Sequence, residues 1–215
     1  MRVNIQADVK EFTRKWNSTR RKKIPSIIRN TLNDLAMGSR TRLQQTLPKY
    51  VDKPTPFTLK SILFEKTDKH KLESKVGFLS ATFPKKARRA NIGTYPSDYM
   101  SLLTHGGTRL PERKAIAVPT SNYKTNKFGN IKRGDIRRLL NKPKHFSGSV
   151  KGREGIFKRL GKDGRKNVMM LIAFEPETTY QGGYPFYSIV RHYVNGNFKK
   201  KFEKNFKQVF AREGI

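Results

Sequence analysis

The sequence predicts an α+β protein in which a mainly antiparallel sheet packs against a long N-terminal helix and a C-terminal phenylalanine-rich helix. Two observations predict this fold class. Apolar residues recur at helical spacing near both ends of the chain, and between the two ends they tend to alternate or run together in short segments. The length of 215 residues is enough to bury a core. We therefore predict an N-terminal extension over residues 1–18 and a single domain over residues 19–215.

The N-terminal segment VNIQADV is consistent with a short strand, and apolar residues at helical spacing between about residues 19 and 47 predict the first long helix. The apolar positions of that helix are Ile24, Ile28, Leu32, Leu35, Leu43 and Leu47. Pro25 suits the first turn of a helix, because its missing N–H is not needed there. The basic run RRKK before Pro25 is therefore predicted to precede the helix.

The segment from Val51 to Phe64, VDKPTPFTLKSILF, marks the change from helix to sheet. Each of its two prolines fixes its own φ and disfavours helical backbone at the residue before it. Pro54 and Pro56 are therefore predicted to hold the segment extended and to present Phe57. A plain proline-rich loop is the alternative interpretation.

Most of the sheet is predicted from two hairpins. The first pairs residues 59–66 with 72–79 across the turn TDKHK, and the second pairs residues 155–160 with 167–174 across GKDGRK. The last of these segments is almost continuously apolar, so it is predicted to be the central strand. Residues 141–149, between a short helix and the second hairpin, are predicted to be a loop.

Three shorter elements and the terminal helix complete the prediction. Ser97 is positioned to cap a short helix that the glycine pair at 106–107 ends. A strand over residues 114–120 stops at Pro119, and a short helix follows Gly129. The terminal helix covers residues 186–211, and its aromatic stripe is interpreted as core packing.

The charge balance is extreme, because 47 lysines and arginines face 16 acidic residues and leave a net charge of +31. A folded protein this basic repels itself and favours contact with a polyanion or an acidic protein. No nucleic-acid recognition motif accompanies the charge, so any DNA contact is predicted to be made to phosphates without sequence preference. The predicted contacts to DNA or an acidic partner are Arg137, Arg138, Lys142, Lys144, Lys151, Arg153, Lys85, Lys86, Arg88 and Arg89.

The sequence contains no pattern of catalytic or metal-binding residues. Its four histidines lie far apart, its acidic residues are sparse, and it has no cysteine. We therefore predict no enzymatic activity, no cofactor and no metal. A nuclease would be the enzymatic alternative, and it would need a carboxylate cluster that the sequence does not show. No apolar run approaches membrane-spanning length, so no membrane contact is predicted.

Four strings, taken in order, resemble the minor tail protein Z family of tailed bacteriophages, also called tail completion or neck proteins. They are VDKPTPFTLKSILF, YMSLLTHGGTR, KFGNIKRGDIRRLL and GREGIFKRL. The resemblance covers roughly residues 20 to 212, and it depends on the ordered set since no single string is diagnostic.

The resemblance implies a virion structural protein at the head–tail junction or the top of the tail, made in the host bacterial cytoplasm. It implies a ring of copies of this chain joined to other neck, tail or portal-adaptor proteins, with Pro54, Pro56 and Phe57 in subunit contacts. The alternative interpretation is a free, non-sequence-specific DNA-binding protein that acts in packaging or in the nucleoid.

Overall fold

A computed structural model describes residues 1–6, 18–67, 71–84, 94–112, 114–161 and 167–211, and for residues 18–22 it describes the backbone alone. The contacts divide the chain into two units. The outer unit comprises Met1–His105 and Gly183–Ile215, and the inserted unit comprises Gly106–Gly182. The single domain over residues 19–215 and the N-terminal extension before it stay predictions.

The long helix α1 spans Ser18–Thr46 and a 3₁₀ turn, Leu47–Lys49, follows it. Its predicted apolar face is buried, with Ile24, Leu35 and Leu43 each 0% exposed. The prediction that Pro25 lies in the first turn and that RRKK precedes the helix is wrong, because the helix begins at Ser18 and Pro25 lies inside it. A proline removes one main-chain hydrogen bond, and here the buried Ile24 and Ile27 on either side anchor the helix across that position.

The proline-rich segment is not extended throughout as predicted, because a short helix, α2 (Pro56–Lys60), begins within it. Thr55 is extended, with φ −68° and ψ 153°, and caps this helix. Its hydroxyl oxygen accepts a hydrogen bond from the Thr58 N–H at 3.1 Å. Pro56 occupies the first helical position, where a missing N–H costs nothing. The prolines therefore set the start of a helix.

The first predicted hairpin is confirmed as β2 (Ile62–Glu65) paired with β3 (Glu73–Phe78). The predicted N-terminal strand is also present as β1 (Arg2–Gln6), and the sheet order is β1-β3-β2. This antiparallel sheet packs against α1. The Asn33 side-chain oxygen on α1 accepts hydrogen bonds from the Thr67 N–H at 2.8 Å and the Ser74 hydroxyl at 3.0 Å, which ties the helix to the hairpin.

Two more helices complete the outer unit: α3 (Pro96–His105) and α5 (Phe186–Ala211). Ser97 does not precede α3 as a cap; it lies inside the first turn, where its hydroxyl bonds the Asp98 carboxylate at 3.0 Å. The helix ends at Gly106, whose φ is +77°. On α5, Phe186 and Val190 join the buried cluster around Phe78, and the helix continues through Gly196 without interruption.

The inserted unit contains two sheets. β4 (Gly107–Arg109) pairs with β9 (Thr178–Tyr180), and a four-stranded antiparallel sheet has the order β5-β8-β7-β6. The bounds of those four strands are β5 Ile116–Pro119, β6 His145–Val150, β7 Arg153–Leu160 and β8 Asn167–Glu175. The second predicted hairpin is thus confirmed as β7–β8, and β8 is an internal strand.

The prediction of a loop over residues 141–149 is wrong, because β6 occupies most of that range. The sequence of β6, HFSGSV, alternates weakly, with Phe146, Gly148 and Val150 partly buried and Ser147 and Ser149 exposed, but glycine is among the residues that strands disfavour. It becomes a strand because a two-residue turn folds it back onto β7. The α+β class is confirmed, although the strands form three sheets where the sequence suggested one.

Candidate functional site

Six of the predicted contact residues lie on consecutive elements of the inserted unit: helix α4 (Asp135–Leu140), the loop after it, and the β6–β7 hairpin. We call these residues the basic hairpin surface: Arg137, Arg138, Lys142, Lys144, Lys151 and Arg153. All six are exposed. In the sequence these cations are only a basic run. The structure places them along one helix, the loop after it and one hairpin.

The hairpin places these cations at both of its ends. Lys151 and Gly152 form the tip, and both have left-handed backbone, with φ of +52° and +76°. Such a two-residue turn favours Asn and Gly, so a lysine at its first position is unusual. At the other end Lys144, with φ +65°, donates its side-chain N–H to the Gly161 carbonyl at 3.4 Å. The six residues of β6 separate the two ends by about 20 Å.

Helix α4 is held to the sheet by apolar and polar contacts. Ile136 and Leu139 pack against the cluster that contains Ile156 and Ile172. The Tyr123 hydroxyl donates a hydrogen bond of 2.6 Å to the Asp135 carboxylate. These contacts hold the backbone of α4 beside β6. The cations of α4 therefore lie on a helix whose position is fixed by packing.

Asp135 also forms an ion pair with Arg138. The hydrogen bond from Tyr123 lowers the pKa of Asp135, and the charges of Arg138 and Lys132 lower it further. Burial and the same hydrogen bond raise the pKa of Tyr123. Among the described residues, Arg138 is the only member of the basic hairpin surface with an ion pair, so no carboxylate neutralises the other five there.

One further cation of this region, Arg159, was not among the predicted contact residues. The Arg159 guanidinium lies 4.9 Å from the ring centroid of Phe146, and that ring stacks on Phe157 at 5.5 Å. Arg159 on β7 and Phe146 on β6 meet across the hairpin. Because residues 141–149 were predicted as a loop, the two side chains were not expected to meet. The alternation from Phe146 to Val150 before a Lys-Gly turn is the signal that could have indicated this hairpin.

The other predicted contacts are not part of this surface. Lys85, Lys86, Arg88 and Arg89 lie outside the described residues. The predicted subunit contacts belong to the outer unit, where Pro56 is exposed, Pro54 is half-buried and Phe57 is 50% exposed at the start of α2.

The outer unit also contains an open groove of about 960 Å³ between α1 and α5. Arg42, Lys49 and His192 line it beside Tyr50 and Tyr193, and the described residues of its lining include no carboxylate. The charged side chains of this described lining are therefore of the same sign as those of the basic hairpin surface.

Within the part of the chain that the structure describes, no group of three or more His, Cys, Asp or Glu side chains could hold a metal ion. No described helix has both the length and the apolar character needed to cross a membrane.

Comparison with protein-family models, with curated proteins and with solved structures found no match to this chain.

Proposed function

We propose that this chain is a structural protein of a tailed-phage virion, a tail completion or neck component that contacts DNA or an acidic partner through the basic hairpin surface. The observation that supports this contact is the exposure of six cations on α4, the loop after it and one hairpin. Within the described residues, a single ion pair involves one of them. The four ordered strings that resemble the minor tail protein Z family are the support for the place in the virion.

The charge of the inserted unit suits contact with a polyanion. Gly106–Gly182 contains 18 lysines and arginines and six acidic residues. Cations that bind phosphates release condensed counterions from DNA, and this gain does not depend on base sequence. A protein that binds this way can hold DNA and still let it slide.

In the proposed assembly, copies of the chain form a ring at the head–tail junction and contact neighbouring neck, tail or portal-adaptor proteins. A heterologous contact between identical subunits closes into a ring when its rotation divides a full turn. Pro54, Pro56 and Phe57 are proposed to contribute to that contact, because two of the three are exposed on α2.

The first test is mass spectrometry of purified, nuclease-treated virus particles from the source, with the copy number measured against the major capsid protein. A few to about a dozen copies per particle, as in a closed symmetric ring, is the expected result. Absence of the chain from finished particles would contradict the virion role.

The second test neutralises four cations of the surface, Lys142→Gln, Lys144→Gln, Lys151→Gln and Arg153→Gln together. We expect impaired DNA retention or head–tail joining with an unchanged circular-dichroism spectrum. The matched control removes four exposed lysines from α5 instead, Lys199, Lys200, Lys204 and Lys207. Normal infectivity of the first variant, or equal loss in both, would contradict a specific role for the hairpin surface.

The second candidate function is a free, non-sequence-specific DNA-binding protein, which the spread of charge over both units favours. It predicts that the isolated protein binds duplex DNA with an affinity that falls steeply as salt rises. The slope of log K against log salt should shrink by about 0.9 for each phosphate that the four-site variant no longer neutralises. Such binding, combined with absence from particles, would select this candidate.

A further inference from the structure

Strand β6 lies at an edge of the four-stranded sheet. In the described part of the chain it pairs with β7 alone, through the register His145↔Lys158 to Val150↔Arg153. An edge strand presents unpaired backbone N–H and C=O groups on its outer side, and these can pair with a further strand.

The hydrogen-bond alternation identifies which groups point outward. The Arg159 N–H donates to the Lys144 carbonyl at 2.8 Å, so residues 144 and 159 form a bonded pair. In an antiparallel ladder every second residue repeats this bonding, and Phe146, Gly148 and Val150 therefore bond to β7. The backbone groups of Ser147 and Ser149 point away from β7, and both residues are exposed.

Two other described sheet edges, β2 and β5, carry features that discourage pairing. On β2, the Ile62 carbonyl is taken by the Arg40 side chain at 2.9 Å. β5 has four residues and ends at Pro119, which has no N–H to donate. β6 has six residues, with no proline and no lysine, arginine or acidic residue inside the strand. Proteins commonly block exposed edges with such devices, so their absence from β6 fits an edge that is used.

The residues that flank β6 select the kind of partner. Lys142 and Lys144 precede the strand, and Lys151 and Arg153 follow it. Antiparallel pairing of two copies of β6 would bring lysines of one copy beside lysines of the other, and like charges at such positions are destabilising. An extended segment with acidic residues at its ends would meet a cation at either end.

The side chains of β6 leave room for the added strand. Ser147 and Ser149 are small, and Gly148 has no side chain. A Cβ placed on Gly148 would have its nearest contact at 3.8 Å, to the Phe146 ring, so a partner side chain can approach there. The centre of the incoming segment can therefore hold small or β-branched residues.

We infer that the β6 edge binds an extended acidic segment of a partner protein by strand addition, with main-chain hydrogen bonds to Ser147 and Ser149 and charge pairs at both ends. This inference rests on the part of the proposed function that gives the basic hairpin surface an acidic protein partner. It makes β6 the site where that partner is recognised.

The test uses the full chain and a fluorescein-labelled peptide of about nine residues, with alternating valine and serine in the centre and two glutamates at each end. Ser147→Pro removes an outward N–H and leaves the charge and the β7 ladder unchanged. Ser147→Ala keeps that N–H and is the matched control. We expect Ser147→Pro to bind the peptide at least about tenfold more weakly than Ser147→Ala.

Hydrogen exchange on the unaltered protein provides a readout that does not depend on the folding of the proline variant. We expect the peptide to slow exchange at the Ser147 and Ser149 amides, and a peptide with glutamine in place of glutamate to bind more weakly. Unchanged exchange at both amides, or equal binding by the two serine variants, would overturn strand addition.

The outcomes separate this inference from the proposed function. Copies of the chain in particles together with failure of the peptide would overturn the β6 site alone. Binding of the peptide by a chain absent from particles would overturn the virion role alone. Tight binding of duplex DNA without peptide binding would overturn the β6 site and assign the basic hairpin surface to nucleic acid.

Discussion

Gly155 on β7 shows how one residue permits two strands to approach closely. A Cβ at this position would collide with the Ile172 carbonyl oxygen on β8 and lie 3.3 Å from its carbonyl carbon. Both atoms belong to the backbone of a paired strand, so they cannot rotate away. The residue is therefore required for the local geometry of the sheet that carries β6.

We expect Gly155→Ala to lower the free energy of unfolding by about 1–3 kcal/mol, because the strand or its neighbour must shift. Gly148→Ala, at the position paired with Gly155 on β6, is the control and should change it by about 0.5 kcal/mol or less. Urea unfolding, combined with hydrogen exchange at β7 amides, measures both. Equal effects of the two substitutions would contradict a close approach at Gly155.

Asp135 gives the inserted unit a pH-dependent contact. Its pKa is lowered in the folded protein, first by the Tyr123 hydrogen bond and then by neighbouring cations including Arg138. A lowered carboxyl pKa contributes stability above the pKa of the unfolded state and loses it as the pH falls through the folded value. The contribution is therefore complete at neutral pH and absent in acid.

We expect Asp135→Asn to be less stable than the parent protein at pH 7 and to approach it as the pH falls below the ordinary carboxyl range. The measurement is the free energy of unfolding of both proteins between about pH 1.5 and pH 7, which extends below the ordinary carboxyl pKa. Tyr123→Phe removes the hydrogen bond to Asp135. In that background the pH-dependent difference in stability between the protein with Asp135 and its Asp135→Asn variant should be smaller. A stability gap that does not change with pH would show that the Asp135 charge plays no part.

At the scale of elements, the buried Asn205 side chain on α5 makes polar contacts to α1. The Asn205 side chain is 5% exposed, and its amide N–H groups reach the Lys201 carbonyl at 2.9 Å, the Asp34 carboxylate at 3.3 Å and the Thr31 hydroxyl at 3.4 Å. Asn197, two turns earlier on α5, bonds the Tyr193 carbonyl of its own helix at 2.8 Å.

We expect Asn205→Ala to cost about 1–3 kcal/mol of unfolding free energy, because it leaves the buried Thr31 hydroxyl and the half-buried Asp34 carboxylate on α1 without this donor. Asn197→Ala removes a bond within one helix and should cost less than about 1 kcal/mol. Thermal unfolding followed by circular dichroism at the helix band compares the two. A larger loss of stability in the Asn197 variant would contradict the conclusion that Asn205 stabilises the contact between α1 and α5.

For the whole molecule, the chain passes from the outer unit to the inserted unit and back at one place. Gly107 and Tyr180 are paired residues of β4 and β9, and in the outer unit the Tyr184 N–H bonds the Leu103 carbonyl at 3.0 Å. The two crossings therefore lie beside each other. Such closeness lets one unit be removed without stretching the other.

We expect a chain in which Gly106–Gly182 is replaced by a short glycine–serine linker to keep the fold of the outer unit. Circular dichroism should retain the helical signal of α1 and α5, and unfolding should remain cooperative. Loss of helical structure in this chain would show that the outer unit needs the inserted one. The same chain should lose whatever polyanion affinity the basic hairpin surface provides.

The local pattern determined much of the outer unit. Helix α1 follows from the spacing of its apolar residues, and β2–β3 follows from alternation on both sides of a polar turn. The net charge of +31 and its concentration between Arg137 and Lys166 are also properties of the sequence alone. These features depend on neighbours within a few positions, and such neighbours are visible in a linear chain.

Only the tertiary structure decided the rest. The pairings of β1 with β3, β4 with β9 and β5 with β8 join segments that are distant in the chain, and they divide the strands into three sheets. Strand β6 exists because β7 pairs with it, although its own serines and glycine carry little strand signal. Local propensity describes what a segment favours by itself, whereas strand pairing and burial depend on contacts between segments. Those contacts place the residues of one basic run on a single surface and leave β6 as an edge strand beside it.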